Sequence, residues 1–272
     1  MTAAVTAGEL TVRAVCDAAG RTRIATLRQR YPQRMTAPLY CDPHFPAAAT
    51  VCVQSPSGGA FSDDDLHTTV DCAIGSHLKL TTQAATQVFA GDGPGARHRL
   101  RFTVHAGAML QYLPRTVIPQ ADASLTQSVD VDVDCGGTYV GWEAVAAGRI
   151  AHGERFRYAV YDSSVTVRRD GTVAARDRQV IRPAAGEACL LDGDYLATML
   201  VVAPGTDSAH LLAAVRAALE APPGVRGGAG DLPGGVGVIV RLTTSSAPRL
   251  RDAREALLDA ACRSLPTDRR SQ

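Results

Sequence analysis

Lysine is nearly absent. Lys79 is the only one among 28 basic residues, so the positive charge is almost wholly arginine. With the many alanines, that usage reads as GC-rich coding, and scattered arginines carry no binding signal. Charge imbalance is missing too. The formal net charge is +1, which gives no electrostatic case for nucleic acid or an acidic membrane surface. No apolar run is long enough to span a bilayer, and MTAAVTAGELTVRAV at the start has no basic region followed by a long apolar core. Both features predict a cytoplasmic protein. No C-x-x-C pair occurs. The seven cysteines (Cys16, Cys41, Cys52, Cys72, Cys135, Cys189 and Cys262) are odd in number and well separated, which argues against a disulfide framework and a zinc ribbon. Their plainest role is as small buried hydrophobes. Aromatic residues make up 5%, and Trp142 is the single tryptophan, too few for platforms that stack sugars or bases. A G-x-S-x-G elbow and H-E-x-x-H spacing are also lacking, so nucleophilic catalysis and a zincin site find no support.

The 46% of hydrophobic residues in 272 is enough for a large core, and we expect one domain over 1–272. The first two thirds read as strands. HRLRFTVH puts Leu100, Phe102 and Val104 on one face, and VDVDVD sets Val129, Val131 and Val133 against Asp130, Asp132 and Asp134. FRYAVY alternates Phe156, Tyr158 and Val160, and VTVRRDGTV reads as a hairpin turned at Asp170-Gly171. Such alternation predicts antiparallel sheet with one packed face, in a sandwich, a barrel or a stacked-sheet solenoid. No sequence repeat is evident. In the last third, Leu211, Leu212, Val215 and Leu219 recur at helical spacing after cap candidates at Thr206 to Ser208 and before Pro222-Pro223. Leu250, Leu257 and Ala261 repeat the pattern up to Pro266. GGVGVIVRLT between them reads as a buried strand, APPGVRGGAGDLPGG as a loop, and the tail TDRRSQ as frayed.

Three carboxylate-bearing stretches are candidate sites. SPSGGAFSDDDL (55–66) lacks the Gly-Lys-Ser/Thr of a phosphate loop, and Asp63, Asp64 and Asp65 would repel phosphate. It also lacks the alternate carboxylates and closing Glu of an EF-hand. A turn entering an acidic strand end is the plainer reading, with metal binding as the sharper one. Asp130, Asp132 and Asp134 either form a solvated face or share a cation that relieves their repulsion. In AAGRIAHGERF, His152 and Glu154 would face the same way in a strand and could share a proton or a metal, although a turn is the plainer reading. His67 and His77 could meet if their strands form a hairpin. The remaining histidines, His44, His98, His105 and His210, show no ligand spacing.

Taken in order, these motifs become specific together. GRTRIATLRQRYPQRMTAPLY (20–40) resembles the N-terminal segment of urease accessory proteins of the UreD/UreH family. SPSGGAFSDDDL resembles that family's S-P-x-G-G-x-x-G-G-D-x-L, HLKLTTQAATQVF (77–89) its L-x-x-T-T-Q-A-x-T-K-V-[YF], and GAMLQYLPRTVIPQADASLTQS (107–128) its L-E-Y-L-P-x-x-x-I-P-F-x-x-A. AAGRIAHGERF (146–156) resembles G-R-x-x-x-G-E-x-F, and DLPGGVGVIVRLTTSSAPRLRDA is loosely similar to G-A-S-x-L-P-x-G-x-x-V-R-x-L. The resemblance runs along nearly the whole chain. Three places depart from the pattern or extend it. Ser62 and Asp63 replace the second Gly-Gly pair, Gln87 stands in place of lysine, and Trp142-Glu143 resembles a W-D or W-E pair.

The resemblance implies a mainly β fold of helically stacked sheets with two helices. It also implies a non-enzymatic maturation factor that joins UreF-type and UreG-type proteins to apo-urease and helps deliver nickel through an internal passage. No tightly bound cofactor is expected, only nickel in transit, for which weak oxygen and nitrogen ligands suit an exchangeable ion better than a closed thiolate or imidazole cage. Asp64 and Glu154, the acidic positions of two glycine-containing motifs, are the expected nickel contacts. Two other readings compete with this one. The first is a carboxylate-dependent hydrolase on a β-solenoid, using Asp63, Asp64 and Glu154. The second is a plain β-rich interaction protein without a metal role. Partner binding of the UreF type is expected on the C-terminal helices, where Leu211, Val215 and Leu219 form a face beside the small Ala214 and Ala218, or that face packs on the protein's own core.

Overall fold

The computed structural model describes residues 8–186 and 192–266. Cys189 and the tail at 267–272 lie outside the described residues. A hairpin of β1 (Gly8–Cys16) and β2 (Thr22–Arg30) leads through the short β3 (Arg34–Met35) into a stack of coils. The first coil is β4 (Ala49–Gln54), β5 (Gly59–Ala60) and β6 (Asp65–Cys72). The second is β7 (His77–Thr82), β8 (Thr86–Val88) and β9 (Ala96–Val104), and the third is β10 (Met109–Leu113), β11 (Val117–Pro119) and β12 (Ser124–Val133). A fourth runs from β13 (Thr138–Ala146) through a 3-10 turn at Ile150–His152 to β14 (Val160–Arg169). The hairpin partner β15 (Thr172–Ile181) follows, then β16 (Tyr195–Val202), α1 (Ser208–Glu220), β17 (Val225–Asp231), β18 (Gly237–Thr244) and α2 (Ala247–Ser264).

Among the described residues two large sheets face each other, ordered β15-β14-β12-β9-β6-β1-β2 and β17-β18-β16-β13-β10-β7-β4-β3, with the short strands bridging them on one side. The mainly β solenoid and the two late helices are as expected. The antiparallel pairing is corrected: β1, β6, β9, β12 and β14 run parallel, as do β4, β7, β10 and β13. Alternation reports one packed and one wet face, and that says nothing of strand direction. A solenoid returns each coil in the same sense, so stacked neighbours are parallel while their outer faces stay solvated. Antiparallel pairs close the ends, at β1–β2, β14–β15 and β16–β18–β17.

The inward faces of the two sheets meet in a core of Leu10, Val12, Val70, Leu78, Leu80, Phe102, Leu110 and Val131. Strand β13 is buried on both faces. Its outward Val140 and Trp142 pack with Met199, Leu211, Val215 and Leu257 under the helices. Asp207 caps α1, accepting from the amides of Ala209 (3.0 Å) and His210 (3.2 Å). Leu211, Leu212, Val215 and Leu219 are all buried, and so are Leu250, Leu257 and Ala261 of α2. The hairpin turn at Asp170 (φ 50°) and Gly171 (φ 76°) is present.

Two local expectations fail. The strand in FRYAVY begins only at Val160, because Phe156 sits at φ 53° in a turn. APPGVRGGAGDLPGG contains β17, where backbone pairing with β18 overrides the glycine content. Among the described residues no helix is long and apolar enough to cross a membrane.

Candidate functional site

In each strand of the coil stack the inward phase is apolar, except for one row. His98 on β9 stands in register with Gln127 on β12, Gln127 with Ser163 on β14, and Ser163 with Gln179 on β15. Across the interior, Glu143 on β13 pairs with Thr198 on β16, and Thr198 with Arg241 on β18. The two rows are bonded together. Gln127 Nε2 donates to Glu143 Oε1 (2.6 Å), and Ser163 Oγ donates to the same oxygen (2.9 Å). Gln179 Nε2 donates to Thr198 Oγ1 (2.8 Å), as does Arg241 Nε (3.3 Å), and the Arg241 guanidinium grips Asp177 (2.6 Å) at the rim. At the opposite end Thr68 Oγ1 donates to Gln33 Oε1 (2.8 Å) and lies 3.0 Å from His98 Nε2.

Between His98 and Glu143 lies a cavity of about 60 Å³, also lined by Tyr112, Tyr161, Thr82 and Thr86. A wider space of about 320 Å³ lined by Gln33, Gln54, Ser55 and Gly58 shares Thr82, Thr86 and His98 with it. Both have room and polar partners for several water molecules. Burial raises the Glu143 carboxyl above the usual carboxylate range, against the hydrogen bonds from Ser163 and Gln127. Burial also pushes His98 down to about 4, with the charge of His67 adding to it. The site at neutral pH therefore offers a neutral imidazole beside a carboxyl whose burial favours the protonated form over that of a free carboxylate. The arrangement is a string of single oxygen and nitrogen donors. It is not a closed cage, and among the described residues no group of three or more His, Cys, Asp or Glu is placed to hold a metal.

The carboxylates singled out in the sequence lie elsewhere. Asp64 sits at the corner before β6, where its side chain accepts from the Phe61 amide (2.8 Å) and burial raises its pKa. Glu154 closes the turn after β13. It accepts from the Ala121 amide (3.1 Å) and from Arg149 Nε (2.9 Å), and Arg149 holds it down to about 2. These corners are three coils apart, about 14 Å by strand spacing alone, and neither residue is among those lining the two cavities.

Asp63 is exposed, and Asp65 is tied to Arg99 (2.7 Å) and His67 (3.3 Å). His152 is exposed in a 3-10 turn and not in a strand with Glu154. On the acidic ladder Asp130 meets Arg168 (3.0 Å) and Asp134 meets His105 (2.8 Å). His67 and His77 do not form a hairpin pair, because β6 and β7 belong to different sheets. Ala214 and Ala218 line an open groove between α1 and α2 with Ala256 and Ala260.

The interior row was missed by reading motifs. Its signal is present in the sequence as a polar residue on the inward phase of successive alternating strands, in HRLRFTV, TQSVDVDV and SSVTV. That signal becomes visible only once the strands are stacked in register.

A model of the family described as UreD urease accessory protein matches residues 6–271. The urease accessory protein UreD of Mycolicibacterium gilvum (strain PYR-GCK) is 62% identical over 258 residues, covering 95% of this chain and 94% of that protein. Urease accessory protein UreD 2 of Streptomyces griseus is 31% identical over 253 residues, covering 90% and 86%. The urease accessory protein UreD of Natronomonas pharaonis is 31% identical over 260 residues, covering 92% and 86%.

Proposed function

This chain belongs to the UreD family of urease accessory proteins, and from that premise we propose that it carries nickel along its interior polar row while it joins UreF-type and UreG-type proteins to apo-urease. A role in urease maturation follows from the family, as does the absence of an enzymatic activity of its own. The hydrolase reading falls with it. Asp63, Asp64 and Glu154 also do not converge, and Glu154 is fully engaged by Arg149 and the Ala121 amide.

One observation carries the nickel reading: a row of polar side chains in register from His98 through Gln127, Ser163 and Gln179, facing Glu143, Thr198 and Arg241, crosses an otherwise apolar interior, with Gln33 and Thr68 at one end and Asp177 at the other. Each station offers one or two oxygen or nitrogen donors. That is enough to replace part of a divalent ion's hydration and too little to trap it. At Glu143 a metal would favour the ionised carboxylate, against the burial that raises its pKa. The cytoplasm, where cysteine thiols stay reduced, is the compartment we assign.

The test is maturation of urease at limiting nickel, with co-purification of the complex as the control for assembly. Glu143→Gln should assemble normally and yield urease with less nickel. Full nickel content with that variant would defeat the reading. Asp64→Asn and Glu154→Gln in the same assay decide whether either corner carboxylate also touches the ion. A loss of nickel with assembly intact supports contact, and full activation by both assigns them to their turns.

A further inference from the structure

Five arginines are not scattered. Arg21, Arg23, Arg28, Arg30 and Arg34 fall within 20–40, a stretch without a single Asp or Glu. Strand β2 carries the middle three, with Arg21 just before it and Arg34 on β3. Strand β2 is the free edge of its sheet and β3 ends the facing one, so the cluster sits at the first end of the stack. Nearby carboxylates answer it only in part. Asp17 pairs with Arg23 (2.9 Å), and Glu9 reaches Arg30 at 3.9 Å. Arg34 bonds the Gln29 carbonyl (3.3 Å), and Arg21 lies over the Tyr40 ring at 3.5 Å. Arg28 is exposed and has no ion-pair or hydrogen-bond partner among the described residues.

The same end is apolar. Of the six exposed large hydrophobic residues among those described, Leu27 (41%), Tyr31 (59%) and Leu39 (62%) lie here. Leu27 stands opposite Val12 in register, on the inward phase, where a side chain would ordinarily be covered. It is not, because β3 has only two residues and the facing sheet stops short. The segment after β3 is tied back to β2 twice. The Met35 amide donates to Gln29 Oε1 (3.0 Å), and Tyr40 Oη donates to the Thr22 carbonyl (2.9 Å). Leu27 lies on β2 between those ties, and Leu39 precedes Tyr40 on the facing segment. From Ile24 to Arg28 the β2 backbone bonds only β1 among the described residues.

Charges on an edge strand commonly keep other strands away. That duty accounts for the arginines and not for three large apolar side chains exposed beside them. We propose that this end of the stack receives an extended acidic segment of a partner protein, laid along the free edge of β2 as an added strand. The edge bonds the segment's backbone. Alternate side chains of the segment then divide between two faces. Those on one face cover Leu27 and Leu39, and those on the other meet Arg28 and Arg30, which lie on the outward phase opposite Thr11 and Glu9. Charge argues against a second copy of this chain as the occupant, since pairing two β2 edges about a two-fold axis sets the arginines against themselves. The surface does not depend on the nickel reading.

The probe is a fluorescein-labelled peptide of eight residues alternating Glu and Val, titrated with the purified chain and read by anisotropy. Saturable binding is expected. The same peptide N-methylated at its two central residues, one facing each edge, should bind about tenfold or more weakly, because the backbone bonds there are lost. Arg28→Gln removes only a charge and Leu27→Ser only an apolar contact. Both positions are exposed, melting temperatures check the folds, and each variant should weaken binding by about threefold or more. Absence of saturable binding overturns the site, and so does an N-methylated peptide that binds as tightly as the parent peptide. Unchanged affinity in Arg28→Gln, whose side chain nothing in the fold holds, also overturns it. A single-stranded DNA octamer bound as tightly as the peptide would make this end a general polyanion patch and defeat the added strand.

Discussion

Glu143 concentrates the account at a single carboxyl. Burial raises its pKa above the roughly 4.3 of an unfolded glutamate. The folded chain therefore holds the proton to higher pH than the unfolded chain does. The stability this group contributes is complete below about pH 4 and is lost as pH rises through the folded pKa. Glu143→Gln keeps the shape without the charge, so it should be at least as stable as the parent at pH 7, with the difference vanishing near pH 4. Urea denaturation at both pH values checks this, and a variant weaker at pH 7 alone would show that the charge is compensated in the fold. His98 has the opposite sign. Depressed to about 4, it contributes stability that is lost as pH falls from about 6.5 toward 4, and His98→Gln should flatten that part of the acid limb. At this scale the sequence was a poor guide. Runs such as SDDDL drew attention because their carboxylates are adjacent, yet Asp64 and Glu154 bond backbone amides at corners. Glu143 stood beside the lone tryptophan with nothing in its local spacing to mark it, since its partners Gln127 and Ser163 lie 16 and 20 residues away.

Among the elements, the short strands explain the glycine pair of SPSGGAF. A Cβ on Gly59 would meet the Gln87 carbonyl oxygen at 2.2 Å and the Phe89 ring at 2.8 Å, because β5 lies directly on β8 there. Gly58 has φ +83° and open space around it. Gly59→Ala should therefore cost on the order of 2 kcal/mol by overpacking, and Gly58→Ala about 1 kcal/mol through its backbone angle alone. Denaturation midpoints of the two variants test the order; equal midpoints would remove the close-approach argument. Under α2, Leu257 is fully buried against the sheet, and Leu257→Ala should cost about 2–5 kcal/mol in the same assay. The helices were legible from their 3.6-residue periodicity and from Asp207 as cap, and the long strands from their alternation. The three-residue strands β8 and β11 carry no pattern of their own, because only the coils above and below define them. Strand β17 was hidden for a related reason: its glycines speak against a strand, and pairing with β18 outweighs them.

The whole molecule is a solenoid whose coils of about 30 residues repeat in space without repeating in sequence. Each coil needs only apolar residues on its inward phase, so Leu78, Leu110 and Tyr139 can occupy equivalent places. Stacking aligns whatever the coils hold in common, and at one level that is a polar side chain. The same stacking turns isolated residues such as His98, Gln127 and Ser163 into a row through the interior. The central claim is that nickel bound for urease uses this row. It is tested most directly by measuring nickel atoms per urease active site after maturation at limiting nickel with Gln127→Leu, compared with Ser128→Leu. These neighbours on β12 point inward and outward respectively, so the two variants share the strand and differ only in the face they alter. The account predicts that the Gln127 variant assembles the complex but delivers urease well short of nickel, while the Ser128 variant matches the parent. Nickel contents equal to the parent in both, with the complex intact, would contradict it.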